Sequence, residues 1–495
     1  MRYISTRDKG NVKTASQAIL QGIGEDGGLF VPLELPTFSQ EELLRMCALD
    51  YAGRAEQVLA KFLGDFTAEE ITGCVRAAYT GGRFEEELPA PLSRLGEDCY
   101  LLELWHGPTC AFKDIALQLL PGLMTVSARK NAVKDELVIL VATSGDTGKA
   151  ALEGFAGVPG TRVLVFYPQD GVSAMQKHQM RAQEGENVCV CAIEGNFDDA
   201  QTGVKRIFTD KAFAGRMEKA GKRFSSANSI NFGRLLPQIV YYVGAYCDLV
   251  RDEELAFGEP LNVVVPTGNF GNILAAYYAK QMGVPLGKLV CASNRNNVLS
   301  DFLESGVYDR NRGFYTTLSP SMDILISSNL ERLLFELCGR DERQVSALMA
   351  QLQEEGRYTI SAPMRAALRK DFTGGFCGDD ETRTVIRSVY ERYSYLLDPH
   401  TAVAFGVYEK VLPQLEGKTV VVSTASPYKF AGSVCEALGL PAAGEGLFAD
   451  IDALHAATGT AVPAPLSRLR TKEARFFDSC PAGEMPAYCA RQMGL

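Results

Sequence analysis

From Cys99 onward the chain alternates short, almost wholly apolar runs with longer stretches of helical period. The runs CYLLELW, LVILVA, RVLVFYP, VCVCAI, LNVVVP, KLVCAS and TVVVST begin at residues 99, 137, 162, 188, 261, 288 and 419. A strand with one wet face alternates apolar and polar residues, whereas a strand covered on both faces is apolar throughout. Continuous runs separated by helical segments predict an α/β fold with mostly parallel sheets. Such sheets bind ligands beyond the C-terminal ends of their strands.

The first 90 residues read differently. QEELLRMCALDYAGRAEQVLAKFL and AEEITGCVRAAY carry apolar residues at helical spacing, which predicts an α-rich segment over 1–90. The polar, proline-containing stretch 81–91 reads as a linker. The core is expected over 91–436, with a C-terminal extension over 437–495.

Lys113 stands between an aromatic residue and an aspartate in HGPTCAFKDIALQ, residues 106–118. Gly107 and Pro108 break regular structure. Thr109 is expected to cap a helix, with Asp114 in its first turn, where a carboxylate suits the positive helix end. Ile115, Ala116, Leu119 and Leu120 continue at helical spacing. An amine at such a turn-to-helix junction can form a Schiff base, although most lysines by position alone are solvated. Phe112 reads as packing.

Three apolar runs end in polar turns. Val263, Val264 and Val265 lead into Gly268, Asn269, Phe270, Gly271 and Asn272, and then into a helical stretch. A glycine-rich turn opening a helix can cradle a phosphate on unpaired N–H groups; the alternative is a plain strand-to-helix turn. No Walker lysine or G-x-G-x-x-G accompanies it. LVILVATSGDTGKA places Thr143, Ser144, Gly145, Asp146, Thr147 and Gly148 after a buried run. It fails as a Walker loop, because two residues separate its glycines where four are needed. It suits a carboxylate or the edge of an aromatic cofactor. TVVVSTASPYKF ends in Ser423, Thr424 and Ser426.

Together these motifs resemble those of the threonine synthases, fold-type II pyridoxal-phosphate (PLP) enzymes, over nearly the whole chain. AILQGIGEDGGLFVP resembles that family's N-terminal segment, HGPTCAFKD its lysine motif and ATSGDTG its substrate-carboxylate loop. SSANSINFGR, residues 225–234, resembles its substrate-phosphate motif, PTGNFGN its cofactor-phosphate loop and STASPYKF its ring-nitrogen motif. Asp146 stands where the wider superfamily often has asparagine. With the long N-terminal segment, this resembles the longer fungal- and enterobacterial-like branch. The resemblance implies two open twisted, mostly parallel sheets of the tryptophan synthase β-like type, with PLP between them.

The resemblance also implies roles. Lys113 would hold PLP and act as the base at the substrate α-carbon. Gly268, Asn269, Phe270, Gly271 and Asn272 would carry the cofactor phosphate, and Thr424 would face the ring nitrogen; the other reading of Thr424 is a strand-end cap. O-phospho-L-homoserine would place its carboxylate on Ser144, Gly145 and Thr147, near Thr109. Asp146, if ionised, would repel that carboxylate, so its part beside the cofactor is expected to be indirect. The substrate phosphate would meet the donors of Ser226, Asn228, Ser229, Asn231 and Arg234, of which Asn228, Ser229 and Arg234 match the motif best. A guanidinium suits phosphate; the other reading of Arg234 is a surface salt bridge. Lys429 reads as a solvated lysine. The implied reaction gives L-threonine and phosphate. A phospho-lyase or a serine/threonine dehydratase on the same fold, a nucleotide-binding module and a catalytically dead regulator are the alternatives.

Composition narrows these readings. At 495 residues two or three domains are expected. The net charge of -10 disfavours nucleic acid as a partner. Thirteen cysteines without a C-x-x-C pair suggest reduced thiols in the cytoplasm. His106, His178, His400 and His455 lack metal-ligand spacing, so no metal is expected. The start MRYISTRDKG lacks a signal-peptide core, and no run is apolar enough to span a membrane. A monomer or small homo-oligomer is expected.

Overall fold

All seven apolar runs form strands, and the strands fall into two sheets. The computed structural model describes residues 1–495 except Ser144, Gly171 and Ala443, and leaves aside the side chains of Glu86 and Asp198. One sheet has six strands in the order Phe372–Phe376, Leu286–Ser293, Leu261–Pro266, Thr419–Ser423, Cys99–Glu103 and Leu92–Arg94. Its pairings are parallel except the last, where Leu92–Arg94 runs antiparallel to Cys99–Glu103. The other sheet has five parallel strands in the order Ser479–Pro481, Val188–Glu194, Thr161–Pro168, Glu136–Ala142 and Lys222–Ser225. Parallel strands need crossovers, and helices supply them, which is why the runs are apolar on both faces.

Of the residues after 437, the helix Ala449–Thr458 packs on the helix Ala431–Leu438, and the end of the chain is woven into the second sheet. Ser479–Pro481 extends its edge, and the helix Met485–Met493 packs on the helix Phe197–Thr209. The N-terminal region holds the expected helices, but the first expected one divides into Gln40–Cys47 and Tyr51–Phe62. Asp50 ends the run by accepting a hydrogen bond from Gly53 N–H as a helix cap. This region also contains an antiparallel sheet centred on Arg2–Ser5, which the helical reading of 1–90 did not anticipate.

The helix Lys113–Lys130 lies among the helices Asp146–Phe155, Ala68–Tyr79, Ala15–Gln21 and Phe232–Arg251. Pro121 in its middle has no N–H for the Leu117 carbonyl. Gly154 packs against that carbonyl so closely that a Cβ there would stand 1.9 Å from the oxygen. A missing donor on one helix and a missing side chain on the other thus allow a close crossing. That crossing brings the two N-termini, Lys113 and Asp146, together. Among the described residues, no helix is long and apolar enough to cross a membrane.

Candidate active site

The turn before Lys113 is locked from within. Asp114 accepts hydrogen bonds from Thr109 N–H at 2.8 Å and from the Thr109 hydroxyl at 2.7 Å. Thr109 therefore does not cap the helix, which starts at Lys113 without a side-chain cap. It is fully buried with its hydroxyl engaged, so the expected substrate contact is replaced by a structural one. A Cβ on Gly107 would fall 2.6 Å from Asp114, which explains the glycine. Burial pushes the Asp114 carboxyl up to about 6 against the pull of both Thr109 bonds.

The same turn is stitched to the end of Thr419–Ser423. Phe112 N–H donates to the Thr424 carbonyl at 2.8 Å, Ser426 N–H to the Cys110 carbonyl at 3.1 Å, and Ala111 and Ala425 form an antiparallel bridge. Of the three hydroxyls there, Ser423 accepts from Trp105 Nε1 at 3.1 Å and Ser426 accepts from Tyr428 N–H at 3.3 Å. The Thr424 hydroxyl has no partner among the described residues, although the residue is only 6% exposed.

Lys113 is 8% exposed. Its Nζ lies 3.2 Å from Ser321 Oγ and 3.5 Å from Asp146 Oδ2. Burial lowers its affinity for a proton; Asp146 opposes this, and the positive Lys429 and Arg234 reinforce it. Asp146 is central. It accepts from Lys429 Nζ at 2.7 Å and from Gln176 Nε2 at 2.9 Å. Burial alone would raise its pKa, but Lys429 and Lys113 overcome that and hold it far below the usual carboxylate range. Lys429 is not solvated, as its sequence position suggested: it is 2% exposed and also donates to the Thr109 carbonyl at 2.9 Å.

The turn 268–272 has its carbonyls held away and its N–H groups free. Ser327 Oγ donates to Gly268 O at 2.7 Å, and Asn329 donates twice to Asn269 O, at 3.0 and 3.1 Å. None of the N–H groups of Gly268, Asn269, Phe270, Gly271 and Asn272 has an acceptor among the described residues. Phe270 adopts a left-handed φ of 62°, a conformation that non-glycine residues seldom keep without a reason. A Cβ on Gly268 would meet the Ser321 carbonyl at 2.6 Å. Asn272 accepts from the hydroxyls of Tyr241 (2.6 Å) and Tyr242 (2.5 Å), while its Nδ2 is buried without a partner.

Arg234 sits in the first turn of Phe232–Arg251 and is 4% exposed. Its Nη1 donates to Ala227 O at 2.8 Å, whereas Nε is buried without a partner. No carboxylate among the described residues pairs with it. It is thus no surface salt bridge, and burial lowers its pKa to about 10. Asn228 and Ser229 are half-buried on the turn before the helix, with Ser229 Oγ 3.5 Å from Ser328 Oγ. Asn231 is not available to a ligand. It caps the helix through Gly233 N–H and ties the turn to Ile19 O at 2.9 Å. Ser226 accepts from Asn228 N–H.

Gly145, with φ 137°, leads into the helix Asp146–Phe155; a Cβ there would lie 2.6 Å from Gln176. Thr143 Oγ1 accepts from Gly145 and Gly148 N–H. Thr147 is half-buried beside them. Ser144 lies outside the described residues. Two cavities, of about 560 and 500 Å³, lie to the side of this cluster and Lys113 lines neither. The polar convergence, not cavity size, marks the site.

Three contributors lie outside every motif: Gln176, Ser321 and Arg332; Lys429 lies within STASPYKF, but its residue type there reads as solvated. Fully buried Arg332 donates to Phe30 O at 3.0 Å, to Ile230 O at 2.6 Å and to Asn329 Oδ1. It thereby joins the N-terminal segment, the 225–234 motif and the residue that holds Asn269.

Residues 85–426 match the family profile described as pyridoxal-phosphate dependent enzyme, and residues 2–79 match that described as threonine synthase N terminus. The match over most of the chain places it in the pyridoxal-phosphate-dependent enzyme family. The chain is 39% identical to a threonine synthase of Pseudomonas aeruginosa over 436 residues, covering 88% of this chain and 90% of that protein. It superimposes on the crystal structure of PLP-bound threonine synthase from Brucella melitensis with a TM-score of 0.88 at 38% identity, each chain fully covered. The chain belongs to the threonine synthase family. It is also 42% identical over 457 residues to threonine synthase-like 1 of Macaca fascicularis, with 88% of this chain aligned. It spans only 60% of that relative's length.

Proposed function

We propose that the chain converts O-phospho-L-homoserine and water to L-threonine and phosphate. The observation that carries this reading is the buried Arg234 guanidinium with no carboxylate partner among the described residues and an unpaired Nε. Burying such a charge without an anion is unfavourable, and a phosphorylated ligand supplies the anion. The free N–H groups of 268–272 make a separate anion cradle. Two anion sites around one buried amine suit a phosphorylated cofactor and a phosphorylated substrate.

The residues present fit pyridoxal phosphate. Lys113 offers a buried amine, 268–272 offers unpaired N–H groups for the phosphate, and Thr424 offers a free hydroxyl to the ring nitrogen. When bound, the cofactor supplies an aldehyde for amines and a ring that accepts the electron pair released at the α-carbon. Lys113 would hold it and, once its amine is displaced by that of the substrate, would take the α-proton. Asn272 presents its unpaired Nδ2 beside the cradle. Asp146 keeps its charge and acts on the lysines rather than on substrate. Gly145 and Thr147, at the positive end of Asp146–Phe155, receive the substrate carboxylate, and Asn228, Ser229 and Arg234 hold its phosphate. Thirteen unbonded cysteines support a reducing compartment, the cytosol.

Incubation with O-phospho-L-homoserine, with phosphate measured and the organic product identified, tests the reading. Threonine is expected. Phosphate with a keto acid would instead assign a phospho-lyase, and turnover of unphosphorylated serine or threonine alone would assign a dehydratase.

A further inference from the structure

We propose that Lys429 is a positioning residue that keeps Lys113 uncharged, by claiming the one carboxylate both lysines can reach. The inference rests on the reading of Lys113 as the reactive amine. Asp146 lies between the two lysines, with Lys429 Nζ at 2.7 Å from Oδ1 and Lys113 Nζ at 3.5 Å from Oδ2. No other carboxylate among the described residues pairs with either amine. One negative charge can match only one ammonium, and the shorter, more deeply buried contact takes it.

The surroundings favour the same partition. Lys429 is also held by the Thr109 carbonyl, which can only accept. Lys113 is held by the Ser321 hydroxyl, which can donate to a free amine as readily as accept from an ammonium. Arg234 adds a further positive charge on the Lys113 side. Among the described residues, Asp114, whose carboxyl is bonded twice by Thr109, and the buried thiol of Cys110 also feel the charge of Lys429. A protonated Lys113 would leave excess positive charge in a buried cluster, whereas its loss of a proton leaves a matched Lys429–Asp146 pair. An uncharged amine has the lone pair that an aldehyde requires, so Lys429 prepares Lys113 without touching the cofactor.

Competitive acylation tests this on the full-length chain free of cofactor. Acetic anhydride is applied across a pH series, and Lys113 and the exposed Lys219 are followed by peptide mass spectrometry. In the parent protein the Lys113 midpoint should lie below that of Lys219. In Lys429→Gln it should move up toward or past Lys219, because repulsion is removed and Asp146 becomes free to hold a charged Lys113. In Lys429→Arg, which keeps the charge, it should stay with the parent. A parent midpoint at or above that of Lys219 overturns the proposal, as does an unmoved midpoint in a Lys429→Gln protein with native circular dichroism. The parent comparison needs no variant, so it decides even where a substitution prevents folding. These midpoints concern only the amine. Failure to turn over phosphorylated substrate would undo the functional reading and leave them standing.

Discussion

Phe112 and Thr424 share a main-chain hydrogen bond of 2.8 Å, so the residue before Lys113 and the free hydroxyl at the end of Thr419–Ser423 are held in fixed register. The neighbouring Ser423 and Ser426 hydroxyls are already bonded within the protein. Thr424→Val should therefore fold normally and bind pyridoxal phosphate more weakly, roughly threefold to tenfold for the loss of one hydrogen bond. Ser423→Ala should lower thermal stability through loss of the Trp105 contact and leave cofactor affinity alone. Fluorescence titration and melting curves separate the two. Greater cofactor loss in Ser423→Ala would move the ring partner to Ser423.

Lys113→Ala should abolish turnover and leave no cofactor fixed to the chain after borohydride reduction. Peptide mass spectrometry checks this. A reduced pyridoxyl group on Lys429 in the parent would reverse the roles of the two buried lysines.

Arg234→Ala should weaken binding of the phosphorylated substrate by about 1.5–3 kcal/mol, the contribution of a charged hydrogen bond, or roughly one to two decades. The cofactor spectrum should be unchanged, because backbone N–H groups hold the other phosphate. Loss of cofactor with substrate affinity retained would exchange the two anion sites.

Gly154→Ala should destabilise the protein by about 1–3 kcal/mol, as overpacking does, because its Cβ would stand 1.9 Å from the Leu117 carbonyl. Chemical denaturation gives the value. A neutral result would show that the helices Lys113–Lys130 and Asp146–Phe155 can slide apart without cost, and that their crossing does not set the Lys113–Asp146 distance.

His106 introduces a pH dependence. Burial works against its charge, but Glu103 at 2.7 Å and Glu85 at 3.5 Å prevail and raise its pKa from 6.5 to about 9. A raised pKa stabilises the fold below the unfolded value and loses that stabilisation as pH climbs through the folded one. The melting temperature of the parent should therefore fall between pH 6.5 and about pH 9 relative to that of His106→Gln. Parallel curves for the two proteins across that window would be inconsistent with the ion pair.

Two features that the sequence pattern does not mark have local physical causes. Phe372–Phe376, FTGGF, with two glycines, is not among the seven apolar runs, yet it is an edge strand of the six-stranded sheet. A Cβ on Gly374 would stand 2.9 Å from the Cys291 carbonyl, so close strand contact is what requires the glycine. Thr109 has the residue type of a helix cap, but its hydroxyl goes to Asp114, and the helix begins four residues later.

Apolar runs, turn residues and ordered motifs suffice to mark seven strands, the polar turns that follow three of them, the family resemblance and Lys113 as the candidate amine, because these depend on residues adjacent in the chain. The charge state of the site does not. Lys429 reads as solvated because its partner, Asp146, lies far away in sequence, and the surface-ion-pair alternative for Arg234 stays open in the sequence because nothing adjacent shows that the residue is buried. A buried group's ionisation is set by distance and desolvation. Both exist only after the crossing at Gly154 and the bridge at Ala111 and Ala425 have brought the distant segments together.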